Sequence, residues 1–203
     1  MALRFDRFFV LALIGIILLT GCAGVGLPII GSSFTKSENQ VGIPDYLIVN
    51  NFEIYRGGQP NPNGFKYLKE KNINTIIKLN SEQLGSEKTT TNQLGIKLVL
   101  TIIDSSDLYY AINNSVYSQI NFAMKALMNR KNWPIYVHCQ NGWDRTGLII
   151  ALFRVCHDRY SKEDAYNEMV MNGFGTFHRL FLPGIQEYWD KFEISNCEKW
   201  RHE

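Results

Sequence analysis

Val137-His138-Cys139-Gln140-Asn141-Gly142-Trp143-Asp144-Arg145-Thr146-Gly147 is the stretch that decides how this chain is read. Before it, Pro134-Ile-Tyr-Val137 is apolar enough for a short buried strand. After it, Leu148 to Cys156 is an apolar run of helical length. A loop between a strand end and a helix start turns its backbone N–H groups inward, at the positive end of the helix dipole. Such a cup suits a dianion. Arg145 adds a planar fork of donors able to grip two oxygens at once. The same positive surroundings favour the thiolate of Cys139 and make it a candidate nucleophile.

Working outward, Leu47 to Tyr55 reads as two short strands turned at Asn50-Asn51, the second broken by Gly57-Gly58-Gln59-Pro60. Phe65 to Lys71 should be a short helix and Thr75 to Leu79 a buried strand. Ser81 to Gln93 is polar and shows no clear period, and Ile96 to Ile103 reads as a strand. A polar loop then leads to a helix from Asn114 to Asn129, with Val116, Ile120, Ala123, Met124 and Leu127 on one face. Ser161 is placed to cap a further helix, and a last one spans Pro183 to Phe192. Strands alternate with helices. The expected class is therefore α/β, a single domain with a central, mainly parallel sheet and helices on both faces.

The chain has 203 residues, 45% hydrophobic and 20% charged, which excludes a disordered chain or a coiled coil. Its 21 basic and 19 acidic side chains leave a formal +2, too little for a broad nucleic-acid surface, so no nucleic-acid partner is expected. Four cysteines without CxxC spacing suggest no zinc site. Arg4 and Arg7 precede twelve residues, Phe8 to Leu19, without a polar side chain. Twelve helical residues reach about 18 Å, short of the ~30 Å hydrocarbon core, so the run reads as a secretory signal. It ends in Leu19-Thr20-Gly21-Cys22, which resembles the lipobox of bacterial lipoprotein precursors. That resemblance implies a signal peptide over 1–21, lipid on Cys22 as the link to a membrane, and a place in the bacterial cell envelope. Residues 22–44, rich in Gly, Ser and Pro, read as a flexible tether spanning roughly 25 Å. The catalytic domain is expected over 45–203.

The loop, together with Tyr55-Arg-Gly-Gly-Gln-Pro60, resembles the cysteine-dependent Cys-x5-Arg phosphatases, in particular the dual-specificity branch of the protein-tyrosine-phosphatase superfamily. The resemblance covers about 47–192. It implies the fold and a phosphate-monoester hydrolase that works without metal or cofactor. Cys139 would attack phosphorus in line, and water would cleave the cysteinyl-phosphate. Gln140, Asn141, Gly142, Trp143, Asp144 and Arg145 would form the phosphate-binding loop. His138 would buttress it, and Thr146 would offer its hydroxyl to the sulfur. The leaving oxygen needs a proton, which the family takes from an aspartate on an upstream loop. Asp107 stands 32 residues before Cys139 and is preferred; Asp104, 35 before it, is the alternative.

Gly142-Trp-Asp-Arg-Thr146 is also similar to the loop of myotubularins, which act on inositol lipids, and this makes Asp144 a third candidate acid. The expected partner is a phosphorylated substrate. No lysine in the loop favours a protein tyrosine or dual-specificity activity, while His178 and Arg179 could touch a second phosphate and keep an inositol phosphate open. A non-catalytic phosphate-binding module is the remaining alternative. Arg56 reads as structural, fixing the Gly57-Gly58 turn. Cys156 and Cys197 could pair, but sequence does not fix their distance.

Overall fold

The computed structural model describes residues 41–201 apart from Phe52 and Ala111. The stretches read as signal peptide and tether, as far as residue 40 and including Cys22, lie outside the described residues. Five short strands form one sheet in the order β1-β2-β5-β3-β4. β1 (Leu47–Asn50) is antiparallel to β2 (Ile54–Gly57), the chain turning at Asn51 with φ +31°. β3 (Thr75–Lys78), β4 (Lys97–Leu100) and β5 (Ile135–His138) run parallel to β2, and β5 lies between β2 and β3. The sheet is therefore mainly parallel, as its apolar strands require.

Alternation along these strands divides the interior in two. Ile54, Ile77, Ile135 and Val137 face one core; Tyr55, Ile76 and Tyr136 face the other. The second core is closed by Phe65 and Leu68 of α1 (Pro62–Glu70), with Leu94 of α2 (Leu84–Leu94) packed at its side. The first and larger core takes the apolar stripe of α4 (Asn114–Met128): Val116, Ile120, Ala123, Met124 and Leu127, the five positions expected. It also takes α5 (Asp144–Cys156), α6 (Lys162–Met171) and α8 (Pro183–Lys191). Every residue of α5 is buried, which is why its sequence shows no polar stripe.

Several elements differ from the sequence reading. α1 begins at Pro62 rather than Phe65, because Asn61 Oδ1 accepts the N–H groups of Asn63 and Gly64 and proline suits the first helical position. α5 begins at Asp144 rather than Leu148; its first turn is polar because it faces the anion cup. β4 ends at Leu100, although Ile103 N–H still bonds the Leu79 carbonyl and brings the next loop over the sheet end. The polar stretch after Ser81 is α2, whose buried side chains are Glu87 and Thr91. The loop after Ile103 holds α3 (Ser105–Tyr110), pinned by Leu108. α7 (Thr176–Phe181) was not foreseen; none of its residues is buried, so no apolar period marks it.

Ser161 caps α6, its Oγ accepting from Asp164 N–H. Ile43, in the stretch read as tether, is 1% exposed and belongs to the second core. Cys156 at the end of α5 is joined by a disulfide to Cys197 in a 3-10 turn, Ile194–Trp200, tying the C-terminal segment to α5. Among the described residues no helix is long and apolar enough to cross a membrane.

Candidate active site

In an open parallel sheet the carboxyl ends of the strands are where ligands are held. β5 ends at His138, and Cys139 to Trp143 curl back over that end before α5 starts. Cys139 is 2% exposed and is the free cysteine of the described chain. The Gly142 N–H donates to its Sγ at 3.3 Å. Gly142 has φ +85°, and a Cβ there would lie 2.4 Å from the Gly57 carbonyl carbon. Handedness and space both require glycine.

Arg145, in the first turn of α5, runs across to the loop after β4, its Nη1 donating to the Ile103 carbonyl at 3.1 Å. The structure thus places Cys139 and Arg145 at the two ends of one loop, as the motif requires.

Tyr55 to Pro60 is the seat of this loop. Gln59 N–H donates to the Gln140 carbonyl at 2.9 Å, and Tyr136 Oη donates to the Gly58 carbonyl at 2.5 Å. A Cβ on Gly58 would sit 2.8 Å from the Gln140 carbonyl oxygen. Arg56 differs from its sequence reading: its Nη2 donates to the Gly142 carbonyl at 2.6 Å, so it holds the Cys139–Arg145 loop rather than the Gly57-Gly58 turn.

Beneath the loop lies a charged cluster that the sequence reading missed. Lys78 and Glu87 are both fully buried, with Nζ and Oε2 2.8 Å apart. Lys78 also donates to Gln59 Oε1 at 2.6 Å, and Gln59 Nε2 donates to Glu87 Oε2 at 2.7 Å. His138 Nε2 lies 2.9 Å from Glu87 Oε1, and its Nδ1 lies 3.1 Å from the Cys139 carbonyl. His138 therefore buttresses the loop. Burial would raise the Glu87 carboxyl, but hydrogen bonds from His138, Lys78 and Gln59 hold it down at about 2. A lysine inside the apolar strand Thr75 to Leu79 was the available signal, since a buried lysine needs a buried partner.

Asp104 follows directly on the carbonyl that Arg145 grips. Its Oδ1 accepts from Ser81 Oγ at 3.5 Å across the sheet end. Asp107, preferred from spacing, sits in the first turn of α3 with Oδ1 accepting from Asn113 Nδ2 at 3.0 Å. Asp144 is 9% exposed and pairs with His178 Nδ1 at 2.9 Å. Burial pushes its carboxyl above the usual carboxylate range, with His178 and Arg145 pulling the other way.

Trp143 is wall rather than platform. Its Nε1 donates to Asp45 Oδ2 at 2.5 Å, and a Cβ on Gly173 would lie 2.5 Å from its ring. Arg179 donates to Tyr166 Oη and Thr176 Oγ1, so His178 and Arg179 both already have partners within the protein's surface layer. Thr146 Oγ1 is buried without a hydrogen-bond partner among the described residues. No cluster of three or more potential metal ligands occurs among the described residues.

A strand–loop–helix cup with a buried cysteine at one end and an arginine at the other, on a mainly parallel α/β sheet, defines the protein-tyrosine-phosphatase-like class of fold. The sequence profile of the tyrosine phosphatase family matches residues 42–171. The chain belongs to that family. It is 31% identical over 102 residues to the inositol diphosphatase DSP2 of Oryza sativa subsp. japonica, covering 50% of this chain and 49% of that protein. It is 25% identical over 122 residues to the dual specificity protein phosphatase TpbA of Pseudomonas aeruginosa strain UCBPP-PA14, covering 60% and 52%. The chain thus spans about half the length of the curated relatives it matches. Among solved structures, the Siw14 catalytic core aligns with TM-score 0.66 at 21% identity, covering 80% of this chain and 93% of that one. TpbA from P. aeruginosa aligns with TM-score 0.61 at 17% identity, covering 76% and 88%. These two likenesses are of fold.

Proposed function

We propose that the protein hydrolyses a phosphate monoester through a cysteinyl-phosphate intermediate, with phosphotyrosine or a similar singly phosphorylated protein side chain as substrate. The observation that carries this reading is the loop itself, with Cys139 Sγ under the Gly142 N–H and Arg145 braced on Ile103. Cys139 attacks phosphorus while Arg145 and the loop N–H groups hold the equatorial oxygens. The ester oxygen leaves with a proton, and water then releases phosphate and the thiolate.

The surroundings of the mouth favour a single phosphate. Glu82 and Asp104 are exposed near Arg145, and Asp144 stands inside the loop. The two cations read as candidates for a second phosphate, His178 and Arg179, are already engaged. Against this stands the 31% identity to an inositol diphosphatase, which supports an inositol phosphate as the second reading.

The proton donor in this proposal is Asp104, because it flanks the carbonyl that Arg145 holds, whereas Asp107 is tied to Asn113. Asp104→Asn is expected to lower kcat on a phosphotyrosine peptide about 100-fold or more, with Asp107→Asn near wild type. Loss of rate in Asp144→Asn alone would move the acid into the loop. The substrate test offers a phosphotyrosine peptide and an inositol polyphosphate side by side. Faster release from the peptide supports the first reading, and preference for the inositol compound overturns it. Binding of both without phosphate release would make the chain a phosphate-binding module.

We further propose that Cys22 bears the lipid that holds the domain to a bacterial envelope membrane. Detergent-phase partitioning of the full chain that disappears in Cys22→Ser supports this; partitioning unchanged in the variant overturns it.

A further inference from the structure

Arg56 is a full-length cation held in the interior, with the side chain of a residue 2% exposed. One of its three nitrogens is used, Nη2 donating to the Gly142 carbonyl at 2.6 Å. Nε and Nη1 are buried and have no hydrogen-bond partner among the described residues. No carboxylate among the described residues is bonded to it. Glu168, the acidic group that most favours its charge, gives Oε1 and Oε2 to Arg154, which also holds Asp158. Asp45, a weaker influence, accepts from the Trp143 indole through Oδ2. Burial pulls the Arg56 guanidinium below its ordinary range; Glu168, Cys139 and Asp45 favour the charge, and Arg154 opposes it.

Holding one carbonyl needs only a neutral donor, such as a glutamine. A buried guanidinium without a bonded counter-ion is far more costly to desolvate. The position of the charge explains what it gives in return. A trans peptide points its C=O and its N–H in opposite directions. Gripping the Gly142 oxygen from behind therefore turns the Trp143 N–H of the same peptide toward the opposite, cup side of the loop. The neighbouring peptide is fixed independently by the positive φ of Gly142, which directs the Gly142 N–H to Cys139 Sγ. Two successive N–H groups are thus set by two separate devices, and Arg56 is one of them.

We propose that Arg56 is a positioning residue for phosphate capture, turning the 142–143 peptide so that the Trp143 N–H meets the bound dianion and supplying a fixed rear cation at the Gly142 carbonyl. The proposal deepens the reading of the loop as a phosphate site and does not require turnover. A bound dianion approaches from the front what Arg56 approaches from the back, and the peptide between them is polarised by both. Arg145 would anchor the ligand directly, while Arg56 acts only through the loop.

The test uses the full chain and tungstate, an inert phosphate mimic, with binding measured by calorimetry alongside kcat and KM. Arg56→Met is expected to bind tungstate about tenfold or more weakly and to lose roughly 100-fold in kcat/KM. Arg56→Lys, which keeps the charge, should recover most of the affinity. Arg56→Gln, which keeps a donor but no charge, should remain weak. Tungstate affinity in Arg56→Gln equal to wild type would overturn the rear-cation role, and unchanged affinity in Arg56→Met would overturn the proposal entirely. Should Arg56→Met fail to fold, the Lys and Gln variants still decide it. Tungstate binding by a wild-type chain that hydrolyses no ester would sink the phosphatase reading and leave this one standing. A wild-type chain that does not bind tungstate would sink both.

Discussion

Cys139→Ser is expected to reduce phosphate release by a factor on the order of 10⁴ or more, while the thermal melt and tungstate affinity stay close to wild type. Serine fills nearly the same volume and can still accept the Gly142 N–H, so the loop keeps its shape. What changes is the proposed nucleophile, since a serine hydroxyl is not an anion at neutral pH and no side chain among the described residues is placed to take its proton. His138 is turned away, with its ring nitrogens facing Glu87 and the Cys139 carbonyl. Steady-state hydrolysis of a phosphotyrosine peptide, read against a calorimetric binding isotherm, checks both halves. Activity above about a tenth of wild type would sink the covalent mechanism.

The second large effect concerns stability. Glu87 is the acceptor shared by Lys78, His138 and Gln59 in a fully buried cluster. Glu87→Ala strands the Lys78 ammonium in the interior and should cost about 3–5 kcal/mol, a fall in Tm of roughly 10 °C for a domain of this size. The same residue predicts acid sensitivity. Its folded carboxyl titrates at about 2, against an ordinary value of 4.5. Its contribution is therefore complete above about pH 4.5 and fades as the pH falls toward 2. Denaturation curves taken through that window should show the wild type losing stability faster than Glu87→Gln. Parallel pH profiles for the two proteins, or a Glu87→Ala melt at the wild-type temperature, would refute the assignment.

How far the sequence could be read follows from what each element buries. α4 carries its apolar residues in a clean period of 3.6, so its buried face was legible down to single side chains, whereas β3 and β5 are buried at every position and were legible only as short apolar runs. Cys139 and Arg145 were legible as a pair because the chemistry proposed for them needs fixed residue types at fixed spacing. α2 was not, because the edge it turns inward is Glu87 and Thr91, and a helix that buries polar groups has no hydrophobic period. α3 and α7 are six residues each, held by one buried leucine in the first case and by none in the second. The support for the loop was hidden for a different reason. Gln59, Lys78, Glu87 and His138 come from four separate segments, and only the pairing of β3 with β5 and the docking of α2 bring them together. Arg56 was visible as a residue but not as a partner of Gly142, 86 positions away. Asp107 and Asp104 were candidates by their spacing from Cys139 and Asp144 by the likeness of its loop, and none of these signals shows that Asp107 is tied to Asn113, Asp104 to Ser81 and Asp144 to His178.

The bond between Cys156 and Cys197 gives this domain two sulfur chemistries with opposite needs. As the proposed nucleophile Cys139 has to be reduced, whereas the clasp on the C-terminal segment exists only while oxidised. A strong dithiol added to protect the nucleophile also opens the clasp and frees the turn that carries Trp200, a fully buried side chain. A mild monothiol, too weak to reduce a buried structural bond, is the condition under which both sulfurs are in their working states. Activity plotted against reductant strength should accordingly pass through a maximum.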